Sequence, residues 1–271
     1  MKIAVHGYGR MGEALRNACA IKTNSVDAYY TFDIRRDVDW SFLRTNVDVI
    51  VDFSSHDALK ALLQGLVKYC HKCLIIGTTD QTDEQLELIQ NYSRSKPVVM
   101  SPNFSPGANV LFWLTRKTTQ ILGPSLDLEI VEMHHRFKKD TPSGTARALS
   151  EILEKARYEV DRTVLVQRLG RVRGQDERTP TEIGIHSVRG GDVIGDHTVH
   201  FFGKGERLEL THRATSRETF ADGALRAAHW VVGQKPGLFN MQHVLGLEET
   251  LPLPVFGPTN SGSPKGNLKI Q

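Results

Sequence analysis

Residues 132–146 read EMHHRFKKDTPSGTA. Two histidines, an arginine and two lysines fall within the six positions His134 to Lys139, directly before a Pro-Ser-Gly-Thr turn. Pro142 suits the first position of a helix, with Thr141 as its N-cap. The N–H groups of Ser143, Gly144 and Thr145 are then unpaired and converge on one spot, where an anion can bind. The residue types present suit a small polyanion, and a dicarboxylate is the obvious candidate. Lysine and histidine crowded together depress each other's pKa, which suits proton donation near neutral pH. The plain alternative is a solvated charged loop.

A second stretch, Gly7-Tyr8-Gly9-Arg10-Met11-Gly12, is G-x-G-x-x-G between an apolar run and a helical pattern. The first glycine permits a tight turn, the second lets backbone N–H groups approach a pyrophosphate, and the third allows close helix packing. Asp33 follows ~20 residues on, where an acid grips the adenosine ribose hydroxyls. Arg35 and Arg36 lie just beyond it, and an arginine there can pair with a 2′-phosphate. Asp33 favours NADH and the arginines favour NADPH, so either cofactor is expected.

The elements that position these residues alternate. KIAVHG, AYYTFD, VDVIVDFS, CLIIGTT and PVVMSPN read as strands, with helical patterns between several of them. Leu59, Leu62, Leu63, Leu66 and Val67 mark one helix, and Thr82 with Gln85 forms a capping box that opens another. Alternation of this kind predicts a doubly wound α/β domain with a parallel sheet. The ends of two strands, Gly77-Thr78-Thr79 and Ser101-Pro102-Asn103-Phe104, should line the cofactor crevice. After residue 105 the pattern changes. A helix near 107–121, the strand DLEIVEMHH, a helix after PSGTA and four more strand candidates predict an open mixed sheet with helices on one face. A last helix spans 217–234, and the Pro-, Gly- and Ser-rich text after 250 reads as a disordered tail.

Composition sets limits. With 271 residues, 39% hydrophobic and 24% charged, the chain can bury one large core or two medium ones. A net charge of +3 argues against a nucleic-acid partner. No apolar run reaches the ~18 residues of a membrane span. Glycines interrupt the first apolar stretch, so no secretory leader is expected. Three cysteines point to a reducing, cytoplasmic compartment. Cys70-His-Lys-Cys73 is formally C-x-x-C, yet it has no second ligand pair, and the plainer reading ends a helix at Cys70 and opens a strand at Cys73. No metal site is expected.

E-x-H-H-R-x-K-x-D-x-P-S-G-T-A resembles the signature of the 4-hydroxy-tetrahydrodipicolinate reductase (dihydrodipicolinate reductase) family. VDFS at 51–54, GTT at 77–79, NFSPGAN at 103–109, IHSVRGGDVIGDHTV at 185–199 and LTHRATSRETFADGALRAAHWV at 210–231 match it in order, over about residues 1–250. The resemblance implies hydride transfer from NADH or NADPH to a cyclic imine bearing two carboxylates, in lysine and diaminopimelate biosynthesis. It implies His134 and Lys138 as the catalytic pair, and His135 with Ser143, Gly144 and Thr145 on the substrate. It implies Gly7, Tyr8, Gly9, Arg10, Met11, Asp33, Arg35, Gly77, Thr78, Thr79, Ser101, Pro102, Asn103 and Phe104 on the cofactor. It also implies a nucleotide domain of residues 1–105 and 214–250, a substrate domain of 106–213, and a homotetramer. Three departures stand out: the first glycine turn is shorter than the family's G-x-x-G-R-M-G, the usual G-T-T-G ends in Asp80, and the tail has no counterpart. The rival readings are a dehydrogenase for another amino-acid intermediate and a non-catalytic nucleotide sensor.

Overall fold

The computed structural model describes residues 1–21, 25–79, 81–174 and 177–247. Asp80 and the tail after 250 lie outside them. No helix of the described residues is long and apolar enough to cross a membrane.

The first hundred residues wind β1 (Lys2–His6), α1 (Arg10–Ala20), β2 (Ala28–Phe32), α2 (Trp40–Asn46), β3 (Val49–Asp52), α3 (His56–Gly65), β4 (Cys73–Ile76), α4 (Asp83–Ser93) and β5 (Pro97–Met100). β3 and β5 are buried at every position, as strands covered on both faces must be. Ile3 and Val5 face one core layer while Ala4 faces the other, which is the two-residue alternation of a strand. Thr82 and Gln85 form the expected capping box of α4. Cys70 ends a short π-helical turn after α3 and Cys73 opens β4, as the plainer sequence reading had it.

The chain then crosses to a second sheet through α5 (Pro106–Leu122), β6 (Asp127–His134), α6 (Gly144–Asp161), β7 (Val166–Leu169), β8 (Glu182–Arg189), β9 (Gly195–Phe202) and β10 (Arg207–Ala214). Its order is β10-β9-β6-β8-β7, with β7, β8 and β6 parallel and β9 and β10 antiparallel. Leu149, Ile152, Leu153 and Ala156 repeat at helical spacing and are buried on α6, and the first three pack with Leu111 and Phe112 of α5 against Leu128 and Ile130. α7 (Glu218–Val231), β11 (Gly237–Phe239) and α8 (Met241–Leu245) return to the first sheet, whose order is β11-β5-β4-β3-β1-β2. The order reverses at β1 and β3, so the crevice for a ligand opens at their carboxyl ends.

The sequence reading did not find α2, β11 or α8. The seven residues of α2 carry little apolar periodicity. β11 has only three residues, and it exists because β5 offers a free edge.

α7 presents Ala221, Gly223, Ala224, Ala227 and Ala228 inward, so it lies close to the sheet. A Cβ on Gly223 would collide with the Phe104 carbonyl. Gly223→Ala is therefore expected to destabilise the fold by about 1–3 kcal/mol, the usual cost of overpacking. Urea unfolding measures it, and an unchanged midpoint would mean that α7 can shift freely.

Candidate active site

The glycine turn is shaped as its sequence requires. Gly7 has φ of 109°, a conformation that L side chains rarely adopt, and a Cβ there would lie 2.7 Å from the Phe53 carbonyl oxygen. Gly12 packs against the Gly7 carbonyl, where a Cβ has no room, while Gly9 faces open space. Gly9 is the N-cap of α1, and the first-turn N–H groups of Arg10 and Met11 point past it. These features fit a dinucleotide pyrophosphate. Two guanidinium groups lie over the Tyr8 ring, Arg16 at 5.9 Å and Arg36 at 5.6 Å from its centroid.

Asp33 is buried at the end of β2. Its carboxylate accepts from the Arg35 side chain at 2.9 and 2.5 Å and from the Arg35 N–H at 3.0 Å. Those hydrogen bonds hold it well below the usual carboxylate range. Beneath the turn, Ile34 N–H donates to Nε2 of the buried His6, whose Nδ1 then donates to Asp52 at 2.7 Å. Asp52 also accepts from the Thr78 hydroxyl at 2.7 Å, which ties the Gly77–Thr79 turn to β3. His6 and Asp52 went unnoticed in the sequence, although each is a polar residue at the end of an apolar strand.

The loop after β5 joins the two sheets. The Ser101 hydroxyl donates to the Asn103 carbonyl at 2.8 Å, and the Asn103 amide donates to the Thr145 hydroxyl at 3.3 Å. Pro102 is half-buried between them. Phe104 turns away from the crevice: it is buried in the core, edge-on to Phe53 at 5.6 Å. Its expected place at the cofactor is thus that of an anchor for the loop. Ser105 caps α5 and its Oγ lies 3.1 Å from His212 Nε2, so the outgoing and returning crossings meet.

Across the crevice, α6 begins at Gly144 with Ser143 as N-cap, in place of the expected Thr141 cap and Pro142 start. Ser143 Oγ accepts the Ala146 N–H at 3.2 Å, and the Ser143 N–H donates to Glu132 at 3.3 Å. Gly144 and Thr145 keep their N–H groups without a partner among the described residues. Lys138 is 2.8 Å from Asp140. His135 Nδ1 accepts the Phe137 N–H at 3.2 Å. Partial burial first, then the cations Arg10 and Arg217, lower the His135 pKa. The Asn103–Thr145 bond sets the start of α6 against the loop after β5.

Glu132, Arg189 and His197 complete the site, and none was assigned a role from sequence. β6 places Leu128, Ile130, Glu132 and His134 on one face, so an acid sits on the inward phase of an apolar strand. That anomaly was the available signal. Glu132 is fully buried, 2.6 Å from His134 Nδ1 and held by Arg189 at 2.7 and 2.8 Å. Burial would raise its pKa, but hydrogen bonds from His134, Arg189 and Ser187 outweigh that and hold it well below the usual range. His197 lies edge-on to His134 at 5.1 Å with Nε2 3.0 Å from Ser143 Oγ. Burial, reinforced by neighbouring cationic groups, pushes its pKa down to about 3. Glu132, His134 and His197 bring ligand atoms within 4.8 Å of one another. Both Glu132 oxygens already accept from protein donors, so the cluster is built as a hydrogen-bond network.

Family models for the N-terminus and the C-terminus of dihydrodipicolinate reductase match residues 1–104 and 107–245. This chain belongs to the dihydrodipicolinate reductase family. A 4-hydroxy-tetrahydrodipicolinate reductase of Akkermansia muciniphila is 47% identical over 245 residues, covering 89% of this chain and 96% of the relative. One from Aquifex aeolicus is 47% identical over 201 residues, 74% of each chain. A dipicolinate-bound dihydrodipicolinate reductase from Paenisporosarcina sp. TG-14 shares the fold, with a TM-score of 0.65 at 22% identity, over 89% of this chain and 97% of that one.

Because Glu132 is held below the ordinary value of 4.5, its ionised form stabilises the fold. That contribution is complete above the ordinary value and is lost as pH falls below it toward the depressed folded value. The stability gap between the native protein and Glu132→Gln should therefore be constant near neutral pH and shrink in acid. Urea titrations at stepped pH check this, and a gap that widens in acid would reverse the sign.

Proposed function

We infer that this chain is an NAD(P)H-dependent reductase that converts 4-hydroxy-tetrahydrodipicolinate to tetrahydrodipicolinate, with the 4-hydroxyl lost as water, in lysine and diaminopimelate biosynthesis. One observation carries the reading: the bond from Asn103 to Thr145 joins the loop at the end of the nucleotide-side strand β5 to the basic helix start. The family's named substrate is a small ring dicarboxylate, which is the ligand that this helix start suits.

Gly7, Tyr8, Gly9, Arg10 and Met11 hold the pyrophosphate side of the nicotinamide cofactor. Asp33 and Arg35 take the ribose end, and Gly77, Thr78, Thr79, Ser101, Pro102 and Asn103 line the nicotinamide end. When bound, the reduced nicotinamide supplies a hydride. The N–H groups of Gly144 and Thr145, the Ser143 hydroxyl and His135 bind the substrate carboxylates. Lys138 Nζ delivers a proton to the reduced ring, and His134 assists. Breaking the pair with Asp140 frees Lys138 for that role, and a substrate carboxylate is a competing partner. The dicarboxylate neutralises the local positive charge and so helps the two sheets to close, which expels water from the reacting atoms.

The nucleotide domain in this reading is 1–105 with 214–250, and 106–213 binds substrate and assembles a cytoplasmic homotetramer. The face of the second sheet opposite α5 and α6 carries Met133, Val188 and Val166, all exposed in the single chain, and supports that assembly.

The decisive assay is NADH and NADPH oxidation with substrate made fresh from pyruvate and aspartate semialdehyde by the preceding synthase. Nucleotide binding without oxidation would return the sensor reading. Lys138→Ala and His134→Ala should each lower turnover by about 10²–10⁴-fold, the range for loss of a proton-transfer group, with nucleotide affinity retained in a binding titration. Arg35→Ala with Arg36→Ala should raise KM for NADPH by roughly 10- to 100-fold, the worth of a lost charge-assisted hydrogen bond, and leave NADH nearly unchanged. Equal effects on both cofactors would rule out a 2′-phosphate contact.

A further inference from the structure

Glu132 is fully buried, yet both of its oxygens reach groups that line the crevice. One lies 2.6 Å from His134 Nδ1, and the other accepts the Ser143 N–H at 3.3 Å. We propose that Glu132, clamped by Arg189, is a positioning residue that fixes His134 with its proton on Nδ1 and a bare Nε2 toward the substrate, while the same carboxylate sets the start of the anion-binding helix. The inference rests on the reading above, in which His134 faces the reacting ring.

The geometry leaves His134 little choice. An ionised carboxylate can only accept, so the nitrogen beside it must carry a proton. Arg189 donates to both oxygens, and its Nη2 also reaches the Asp140 carbonyl at 2.8 Å and the Thr141 hydroxyl at 3.2 Å. The clamp keeps Glu132 ionised, so the carboxylate orients the histidine without taking its proton. His134 Nε2 has no protein partner among the described residues. Beside it stands Gly195, where a Cβ would approach Nε2 to 3.0 Å. Any side chain at 195 would crowd the nitrogen that must stay open. Behind it, His197 holds the Ser143 hydroxyl at 3.0 Å. Ser143 Oγ already accepts from Ala146. If His197 donates from Nε2, both Ser143 lone pairs are filled and its proton is free for a substrate carboxylate.

The groups that face His134 are Glu132 on β6, Arg189 on β8, His197 on β9 with His212 behind it on β10, and His135 and Lys138 on the following loop. Among the described residues, Glu132 is the group that hydrogen-bonds the imidazole, through Nδ1.

The test uses the full-length protein in two independent ways. Nitrogen NMR of the native, unliganded protein reads the His134 tautomer directly, and protonation on Nδ1 is expected. A dominant Nε2–H tautomer would overturn the proposal whatever the activity. Glu132→Gln keeps the shape and can still accept from Ser143, but it offers an amide N–H to His134 Nδ1. Its kcat should fall by about 10- to 100-fold, less than the 10²–10⁴ for loss of a proton-transfer group itself, with substrate KM little changed. Nitrogen NMR of this variant should show His134 moved to the Nε2–H tautomer, because the amide N–H now faces Nδ1. Glu132→Ala should raise KM as well, because the helix start loses its anchor. A Glu132→Gln protein that keeps the Nδ1–H tautomer at reduced kcat would leave Glu132 a purely structural ion-pair partner. Full activity in His134→Ala would instead sink the underlying site assignment, which the tautomer measurement does not depend on.

Discussion

A carboxylate with no access to water must find donors for both oxygens, and Glu132 finds them on three separate pieces of chain. His134 comes from its own strand, Arg189 from the neighbouring strand, and the Ser143 N–H from the start of the substrate-side helix. An unpaired buried charge costs several kcal/mol, so these pieces cannot drift apart separately. The basic loop between His134 and Ser143 is therefore held at both ends by one buried group. Its positive charge can gather at the mouth of a crevice without the mutual repulsion opening the loop.

The nucleotide side is built on the same physics. The buried pair of His6 and Asp52 joins β1 to β3 at the point where the strand order reverses, and Thr78 adds the turn after β4. Three strand ends are thereby fixed where a ligand must meet them. Between the two networks runs a short polar bridge, Ser101 to Asn103 to Thr145, whose last bond spans 3.3 Å. Such a half-buried side-chain bond is a modest tie of about 1 kcal/mol. It can align two rigid halves and still break when they move.

Much of this was legible in the residues. The glycine turn and the basic stretch are local patterns: their spacing alone decides which backbone groups are free and which charges are neighbours. Alternation of apolar runs and helical periodicity was enough to predict a parallel sheet followed by a mixed one. What escaped was non-local. Thr141 and Ser143 are both good caps, and Ser143 wins because Glu132 and His197 already hold it. Phe104 looked like a crevice residue until the core claimed its ring.

The sequence by itself determined the chemistry on offer: a dinucleotide turn, an anion-binding helix start, two histidines and a lysine, on a fold that brings strand ends together. Tertiary structure decided which of those groups are oriented and by what. Arg189 reaches Glu132 from 57 residues away, and His197 reaches Ser143 from 54. A hydrogen bond depends on distance and angle in space, and separation along the chain carries neither.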